Sequence, residues 1–312
     1  MDAKNDMILI TGVTASGKGK LAFELAKETG AEIICIDSMK VYCRMDVGTA
    51  KPPKEARKCV NYHLLDVVEP SEAFSVGAFV ELAHEAIKQI KQRQKRVIAV
   101  GGTALYIKAL LYGLFEGPGT DEKIRIQLRA RAEKEGLGKL YRELLKVDPA
   151  AAERISPNDL RRIVRALEIY QITGKPISQL QKQFDAEKTV HDWMIIGLRR
   201  KKNIENSRIN VRVKKMIEAG FVNEVKRLLA EEKPLSKQAE CAIGYAEIIE
   251  HLNGKTTLEE AIKQIKKNTR RLAKHQRTWF KRFRNINWLD IDPEEPAEET
   301  FKRAKKLLDN LR

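Results

Sequence analysis

A short apolar run, Met7-Ile8-Leu9-Ile10, leads into Gly12-Val13-Thr14-Ala15-Ser16-Gly17-Lys18, and an amphipathic stretch over 18–29 begins at that lysine. A G-x-x-x-x-G-K loop between a buried strand and a helix fits the phosphate-binding loop. Its glycines let backbone N–H groups turn inward around phosphate oxygens, the helix N-terminus adds partial positive charge, and Lys18 supplies a full one. The position after Lys18 is Gly19, where the pattern expects a Ser or Thr hydroxyl on Mg²⁺. An enzyme splitting a nucleoside triphosphate relies on that metal to bridge the phosphates, so Gly19 weighs against an ordinary ATPase or kinase and leaves the Mg²⁺ ligands open.

The loop predicts a parallel α/β sheet, and the first hundred residues agree. Glu32-Ile33-Ile34-Cys35-Ile36 and Val97-Ile98-Ala99-Val100 read as further buried strands, with helical periodicity at 76–94. From about 121 to 188 the periodicity is helical with no convincing strand. Trp193 to Leu198 then returns to the sheet, and Ile286 to Ile291 reads as a last strand. The expected fold is α/β, a P-loop NTPase-like parallel sheet flanked by helices. Residues 1–117 and 192–312 form its core domain, and 118–191 an all-helical insertion.

Two further segments follow strands. Asp37-Ser38 comes directly after the second, where Asp37 reads as a carboxylate for Mg²⁺, a general base near the phosphates, or a turn cap. Gly101-Gly102-Thr103 follows the third, with glycines for close backbone approach and a hydroxyl at Thr103. All three loops fall at the carboxyl ends of parallel strands, the edge at which open α/β sheets bind ligands.

The charge points to a polyanionic partner. Fifty-nine Lys and Arg against 43 Asp and Glu give a net charge of +16, and neutralising phosphates releases their counterions. From Lys263 to Arg284 there is no acidic residue. Lys263, Lys266, Lys267, Arg270, Arg271, Lys274, Arg277 and Lys281 share one helical face, with Ile265, Leu272, Trp279 and Phe280 largely on the other. The apolar face is assigned to core packing, so the ridge reads as RNA-facing ahead of a solvated face or a membrane surface. In the insertion, Ser156-Pro157-Asn158-Asp159 starts a helix. Its apolar stripe is Leu160, Ile163, Val164, Leu167 and Tyr170, opposite Arg161, Arg162 and Arg165. Those arginines either contact phosphates or pair with neighbours such as Glu168. No apolar run approaches a membrane span, Met1 to Asp6 does not read as a leader, and four dispersed cysteines read as reduced thiols of a cytoplasmic protein.

Several stretches together resemble the bacterial tRNA dimethylallyltransferase family. They are the Gly12–Lys18 loop, Asp37-Ser38-Met39-Lys40-Val41-Tyr42, Met45-Asp46-Val47-Gly48-Thr49-Ala50-Lys51-Pro52 and Gly101-Gly102-Thr103-Ala104-Leu105-Tyr106. Pro157-Asn158-Asp159, Arg165-Ala166-Leu167-Glu168, Ile243-Gly244-Tyr245, and Thr269-Arg270-Arg271 through Thr278-Trp279-Phe280 extend the likeness over about 7–290. The resemblance implies transfer of dimethylallyl from dimethylallyl diphosphate to N6 of the adenosine 3′ of the anticodon. Diphosphate is released, and the substrates are tRNAs reading codons that begin with U. It implies Asp37 as general base, Thr103 at the reacting centre, and Gly12, Thr14, Ala15, Ser16, Gly17, Lys18, Gly19 and Arg212 on the diphosphate. The tRNA anticodon stem-loop would meet Asp37, Ser38, Met39, Lys40, Thr103, Arg125, Arg161, Arg162, Ile163, Val164 and Arg165. Cys241, Ala242, Ile243, Gly244, Tyr245, Ala246, Lys274 and Arg277 would complete that surface. Mg²⁺ is the implied cofactor, and the protein is expected to act as a monomer. His275 replaces the family's usual Arg and Lys40 its commoner Gln.

The implied chemistry suits these residues. An adenine exocyclic amine is a poor nucleophile that must lose a proton as it attacks, which a placed carboxylate assists. The target base must also leave its stack, which an RNA loop permits at low cost. Three alternatives stand beside this reading: prenylation of free adenylate, a small-molecule kinase, and a non-catalytic RNA-binding module. The basic ridge argues against the first, Gly19 and Met45–Pro52 against the second, and the phosphate loop with Asp37 against the third.

Overall fold

The computed structural model describes residues 7–114, 117–181 and 189–311; Met1 to Asp6 and the tail of the expected helical stretch, 182–188, lie outside them. Two compact units emerge, one from Met1–Leu111 with Val190–Arg312 and the other from Tyr112–Thr189. The expected divisions were 118 and 191.

In the first unit, β1 (Met7–Gly12), α1 (Lys18–Thr29), β2 (Glu32–Ile36), α2 (Lys54–Cys59), β3 (Tyr62–His63), α3 (Val76–Gln92), β4 (Val97–Gly101) and α4 (Ala104–Tyr112) follow in order. β1, β2 and β4 are buried along their whole length, as apolar runs covered on both faces must be. β3, only two residues long, carries no readable alternation and was missed. The second unit holds α5 (Glu122–Glu135), α6 (Leu137–Val147), α7 (Pro149–Arg154), α8 (Leu160–Thr173) and α9 (Ile177–Leu180), with no strand among its described residues. The chain returns to the first unit through β5 (Met194–Arg199) and α10 (Lys202–Glu218), then α11 (Phe221–Leu229), α12 (Lys237–Glu240) and α13 (Tyr245–Leu252). It ends with α14 (Leu258–Phe280), β6 (Asn287–Asp290) and α15 (Ala297–Asn310).

The six strands form one all-parallel sheet in the order β3-β2-β4-β1-β5-β6. Residues of α1 and α15 complete a core with Ile8 and Ile10 of β1, Ile33 of β2 and Ile196 of β5. The register decides where the site lies. Thr11 of β1 and Ile36 of β2 both align with Gly101 of β4, so Gly12, Asp37 and Gly102 leave the sheet side by side at one edge. A Cβ on Gly101 would stand 1.9 Å from the Ile36 carbonyl oxygen, which explains a glycine there. Among the described residues no helix is long and apolar enough to cross a membrane.

The helical unit packs around Leu128, Leu140, Leu144, Ile163, Val164 and Leu167. Asp159 caps α8 by accepting a hydrogen bond from the Arg162 amide at 3.1 Å, as the Ser156–Asp159 start signal implies. Beside this core lies Glu168, fully buried. It accepts from the Asp121 amide at 2.7 Å, from Arg125 Nε at 3.1 Å and from Arg165 Nη1 at 2.7 Å. Burial alone would raise the Glu168 pKa, but Arg165, the Asp121 amide and Arg125 together hold it below the usual carboxylate value.

Candidate active site

The loop after β1 wraps tightly. Gly12 has φ 145°, and a Cβ there would come within 2.6 Å of the Leu198 carbonyl oxygen, so only glycine lets β5 lie this close. Gly17 takes a left-handed conformation at the head of α1. Lys18 Nζ donates to the Val13 carbonyl at 3.1 Å, the folded-back posture of an ammonium over its own loop. The loop is also gripped from outside. Arg200 Nε donates to Ser16 O at 3.0 Å, Arg208 Nε to Ala15 O at 2.8 Å, and Arg212 Nη1 to Thr14 Oγ1 at 3.2 Å. Of these three the sequence pointed to Arg212 alone. Arg208 stands one helical turn before Arg212 on α10, a spacing that would have flagged it.

Above the loop opens a cavity of about 1540 Å³, lined by Thr14, Ala15, Gly17, Lys18, Gly19 and Arg212, together with Asp37 to Lys40 and Gly101 to Thr103. Asp37 Oδ1 accepts from the Met39 amide at 2.9 Å and the Lys40 amide at 3.3 Å. Asp37 is therefore a turn cap, and its second oxygen takes no hydrogen bond from a described residue. The Ser38 amide donates to Thr103 Oγ1 at 3.2 Å, which ties the loops after β2 and β4 together. The remaining wall corrects an expectation. Leu272 and Trp279 were assigned to core packing, yet both line the cavity with His275 and Gln276, and Leu272 is 39% exposed. Gln276 itself was missed: it is buried, accepts from the Thr14 amide at 2.8 Å and donates to Gly102 O at 2.9 Å.

Burial, followed by the neighbouring Arg212 and Lys40 cations, pushes the Lys18 ammonium down to about 7, against the upward pull of Asp37. Burial also lowers Arg212, which Asp37 partly offsets. A diphosphate bound in this loop would reverse the first of these shifts, since its charge favours the protonated lysine. Its affinity should therefore be greatest near neutrality and fall as pH rises from about 7 to about 9, by up to roughly tenfold per unit. Titration calorimetry of inorganic diphosphate in buffers of different ionisation enthalpy should show proton uptake. Equal heats and a flat affinity over that range would remove Lys18 from this role.

The chain offers few ligands of its own for Mg²⁺. Gly19 lacks the hydroxyl and faces open space, with no atom within 4 Å of where its Cβ would stand. No cluster of three metal-type side chains occurs among the described residues. Lys18, Lys40 and Arg212 bring positive charge to the cavity around the loop.

Residues expected on the RNA divide by burial. Arg161, Arg162, Lys274 and Cys241 are exposed. Ile163 and Val164 are buried at 0% and 3%, so their side chains belong to the helical core and cannot face a docked nucleic acid. Arg125 and Arg165 are committed to Glu168, and Arg165 also donates to the Pro118 and Gly119 carbonyls. Arg277 pairs with the buried Glu205 of α10. Ala242 and Tyr245 are buried as well; the Tyr245 hydroxyl donates to Glu224 at 2.6 Å and the Gly244 amide to Glu247 at 2.6 Å. Ile243 and Ala246 are half-buried beside them.

The buried Glu224 accounts for the Met45–Pro52 segment. It accepts from the amides of Asp46 at 3.0 Å, Val47 at 2.7 Å and Gly48 at 3.1 Å. Gly48 is pressed against Phe221, 2.2 Å from where a Cβ would sit. Lys51, buried, pairs with Asp46 at 2.9 Å and Asp66 at 2.5 Å. A loop carrying Asp46, Val47, Ala50 and Lys51 into the cavity wall is thereby fixed.

The chain is similar to known proteins over nearly its whole length. The model of the family described as IPP transferase matches residues 40–283. A protein of Geobacter metallireducens named tRNA dimethylallyltransferase is 45% identical over 289 residues, 93% of this chain and 94% of its own length. One of Thermoanaerobacter sp. with the same name is 46% identical over 308 residues, 97% of each chain. Among solved structures, the full-length tRNA isopentenylpyrophosphate transferase of Bacillus halodurans superposes with a TM-score of 0.72 at 37% identity, covering 98% of this chain and 96% of that one. A eukaryotic dimethylallyltransferase described as acting on tRNA gives a TM-score of 0.80 at 29% identity, over 99% of this chain and 80% of that one. The family match starts at Lys40, so the phosphate loop and Asp37 are independent of it, while these relatives extend across nearly the whole chain. From both directions the conclusion is the same: this chain belongs to the IPP transferase family.

Proposed function

We propose that the protein transfers a dimethylallyl group from dimethylallyl diphosphate to N6 of the adenosine 3′ of the anticodon, in tRNAs reading codons that begin with U. The observation that carries this reading is the register of the sheet, which sets the phosphate loop, Asp37 and Thr103 on one cavity. The diphosphate sits on the loop amides and Lys18, with Arg212 beside it. As the bond from allylic carbon to oxygen breaks, charge gathers on the leaving group, where Lys18, Arg212 and the loop amides left unpaired stabilise it. The adenine amine attacks the carbon, and its proton passes to the free oxygen of Asp37. Because Asp37 Oδ1 is engaged by two amides, the carboxylate does not need to reorient during the step. Thr103 fixes the backbone at Ser38 and so the direction of Asp37.

Mg²⁺ enters this reading as a counter-ion of the donor, and no step depends on it. The anticodon stem-loop is assigned to exposed cations: Arg161 and Arg162 of α8, and Lys263, Lys267, Arg271 and Lys274 of α14. Acting alone on tRNA, the protein would work as a monomer in the cytoplasm. Incubation with labelled dimethylallyl diphosphate and either unmodified tRNA or AMP tests the assignment. Label is expected in tRNA, on the adenosine next to the anticodon. Label confined to AMP would replace the polymer with a free nucleotide, and label in neither would end the transferase reading.

A further inference from the structure

Gln276 joins three parts of the molecule that are remote in sequence. It projects from α14, whose other face exposes Lys263, Lys267, Arg271 and Lys274, and its carboxamide is consumed at both ends. Oε1 takes the Thr14 amide of the phosphate loop, and Nε2 donates to Gly102 O in the loop after β4. The amide cannot flip, because each end would then meet a group of its own kind. α14 is itself locked to α10 by the Arg277–Glu205 pair and by Arg270 Nη1 donating to Asn210 at 3.1 Å. From α10, Arg208 and Arg212 reach Ala15 O and Thr14 Oγ1. Thr14 is thus held by its amide from one basic helix and by its hydroxyl from the other.

We propose that Gln276 is a positioning residue through which docking of RNA on α14 and binding of diphosphate in the phosphate loop reinforce each other. The claim rests on the reading of α14 as the RNA-facing helix. Its physical basis is continuity: a rigid helix bears the polyanion on one side and, through one carboxamide, sets the loop conformation on the other. Reinforcement between two ligands is reciprocal, so it can be read on either one.

The experiment measures inorganic diphosphate affinity by calorimetry, alone and with a saturating unmodified anticodon stem-loop RNA. With no prenyl group present the enzyme stays idle. In the wild-type protein the RNA should tighten diphosphate binding by about 5- to 150-fold, the usual range for coupled sites. In Gln276→Met diphosphate alone should bind at least roughly tenfold more weakly, and the RNA-induced ratio should fall to within about twofold of one. RNA affinity without diphosphate should stay within about twofold of the wild-type value. A structural defect alone would weaken binding without changing the ratio. A ratio that survives in the variant, or a wild-type ratio of one, overturns the proposal. Gly102→Ala is the second variant, should Gln276→Met not fold. Its Cβ would stand 2.6 Å from Gln276 Nε2 and displace the carboxamide while leaving it in the chain; the same ratios decide. If the RNA does not bind at all, the reinforcement falls with the RNA-facing reading. The diphosphate measurement then decides the loop role alone, and an unchanged affinity in Gln276→Met overturns that too.

Discussion

Asp37→Asn is expected to lower prenyl transfer by about 10²- to 10⁴-fold while leaving the loop in place. The substitution separates two jobs of one side chain. An asparagine oxygen can still accept from the Met39 and Lys40 amides that Asp37 Oδ1 now satisfies, so the turn survives. What is lost is an acceptor for the proton leaving the adenine amine. Binding of diphosphate and RNA should change little, so the loss should appear in kcat with KM for either substrate near its wild-type value. Asp37→Ala removes the cap as well and should add a stability cost of about 0.5–2 kcal/mol. Single-turnover transfer by Asp37→Asn within about tenfold of wild type would strip Asp37 of the base role.

Glu224→Gln should destabilise the protein by about 3–5 kcal/mol, although the change is isosteric and lies outside the cavity lining. Glu224 Oε2 receives the Asp46 and Val47 amides, and Oε1 receives the Gly48 amide and the Tyr245 hydroxyl. Four donors converge on a group that accepts only. A carboxamide must turn its NH₂ toward two of them in either orientation; the Tyr245 hydroxyl can rotate to accept, but at least one backbone amide is left facing a donor in a buried place. Melting temperature should fall by roughly 5–15 °C. Amide exchange over residues 45–52 should rise first, since that segment hangs on this carboxylate. A melting temperature within about 2 °C of wild type would mean that Glu224 does not organise the segment.

The sheet was legible because buried parallel strands leave continuous apolar runs, and the phosphate loop because its glycines obey a backbone requirement. Asp37 and Thr103 could be placed by topology alone, since anything following a parallel strand arrives at one edge. What escaped was held by single polar side chains acting at long range. Gln276 meets Thr14 across 262 residues, and Arg200 meets Ser16 across 184; such bonds impose no periodicity. Leu272 and Trp279 went astray for a different reason. A helical wheel separates apolar from charged residues, but it cannot tell a core from the wall of an apolar cavity. Ile163 and Val164 were legible as the apolar stripe of α8, and their side chains are buried as that stripe implies; the resemblance to a tRNA-contacting stretch speaks of a segment and does not say which of its side chains face outward. Glu168 shows the same tension: the arginines around it are spent on burying one carboxylate before any nucleic acid arrives.

The order of strands also bears on how the molecule comes into being. β1 lies between β4 and β5, so the strand that leads into the glycine-rich loop has one neighbour from residues 97–101 and another from 194–199. Ser16, Ala15 and Thr14 are then held by Arg200, Arg208, Arg212 and Gln276. The glycine-rich loop therefore waits for segments far downstream before it takes its working shape, and such distant pairings are slow to close. A nascent or prematurely ended polypeptide lacking the later segments carries the glycine-rich motif in full yet has nothing to tense it. The loop and the segments that hold it are thus one unit of folding, although they lie far apart in the sequence.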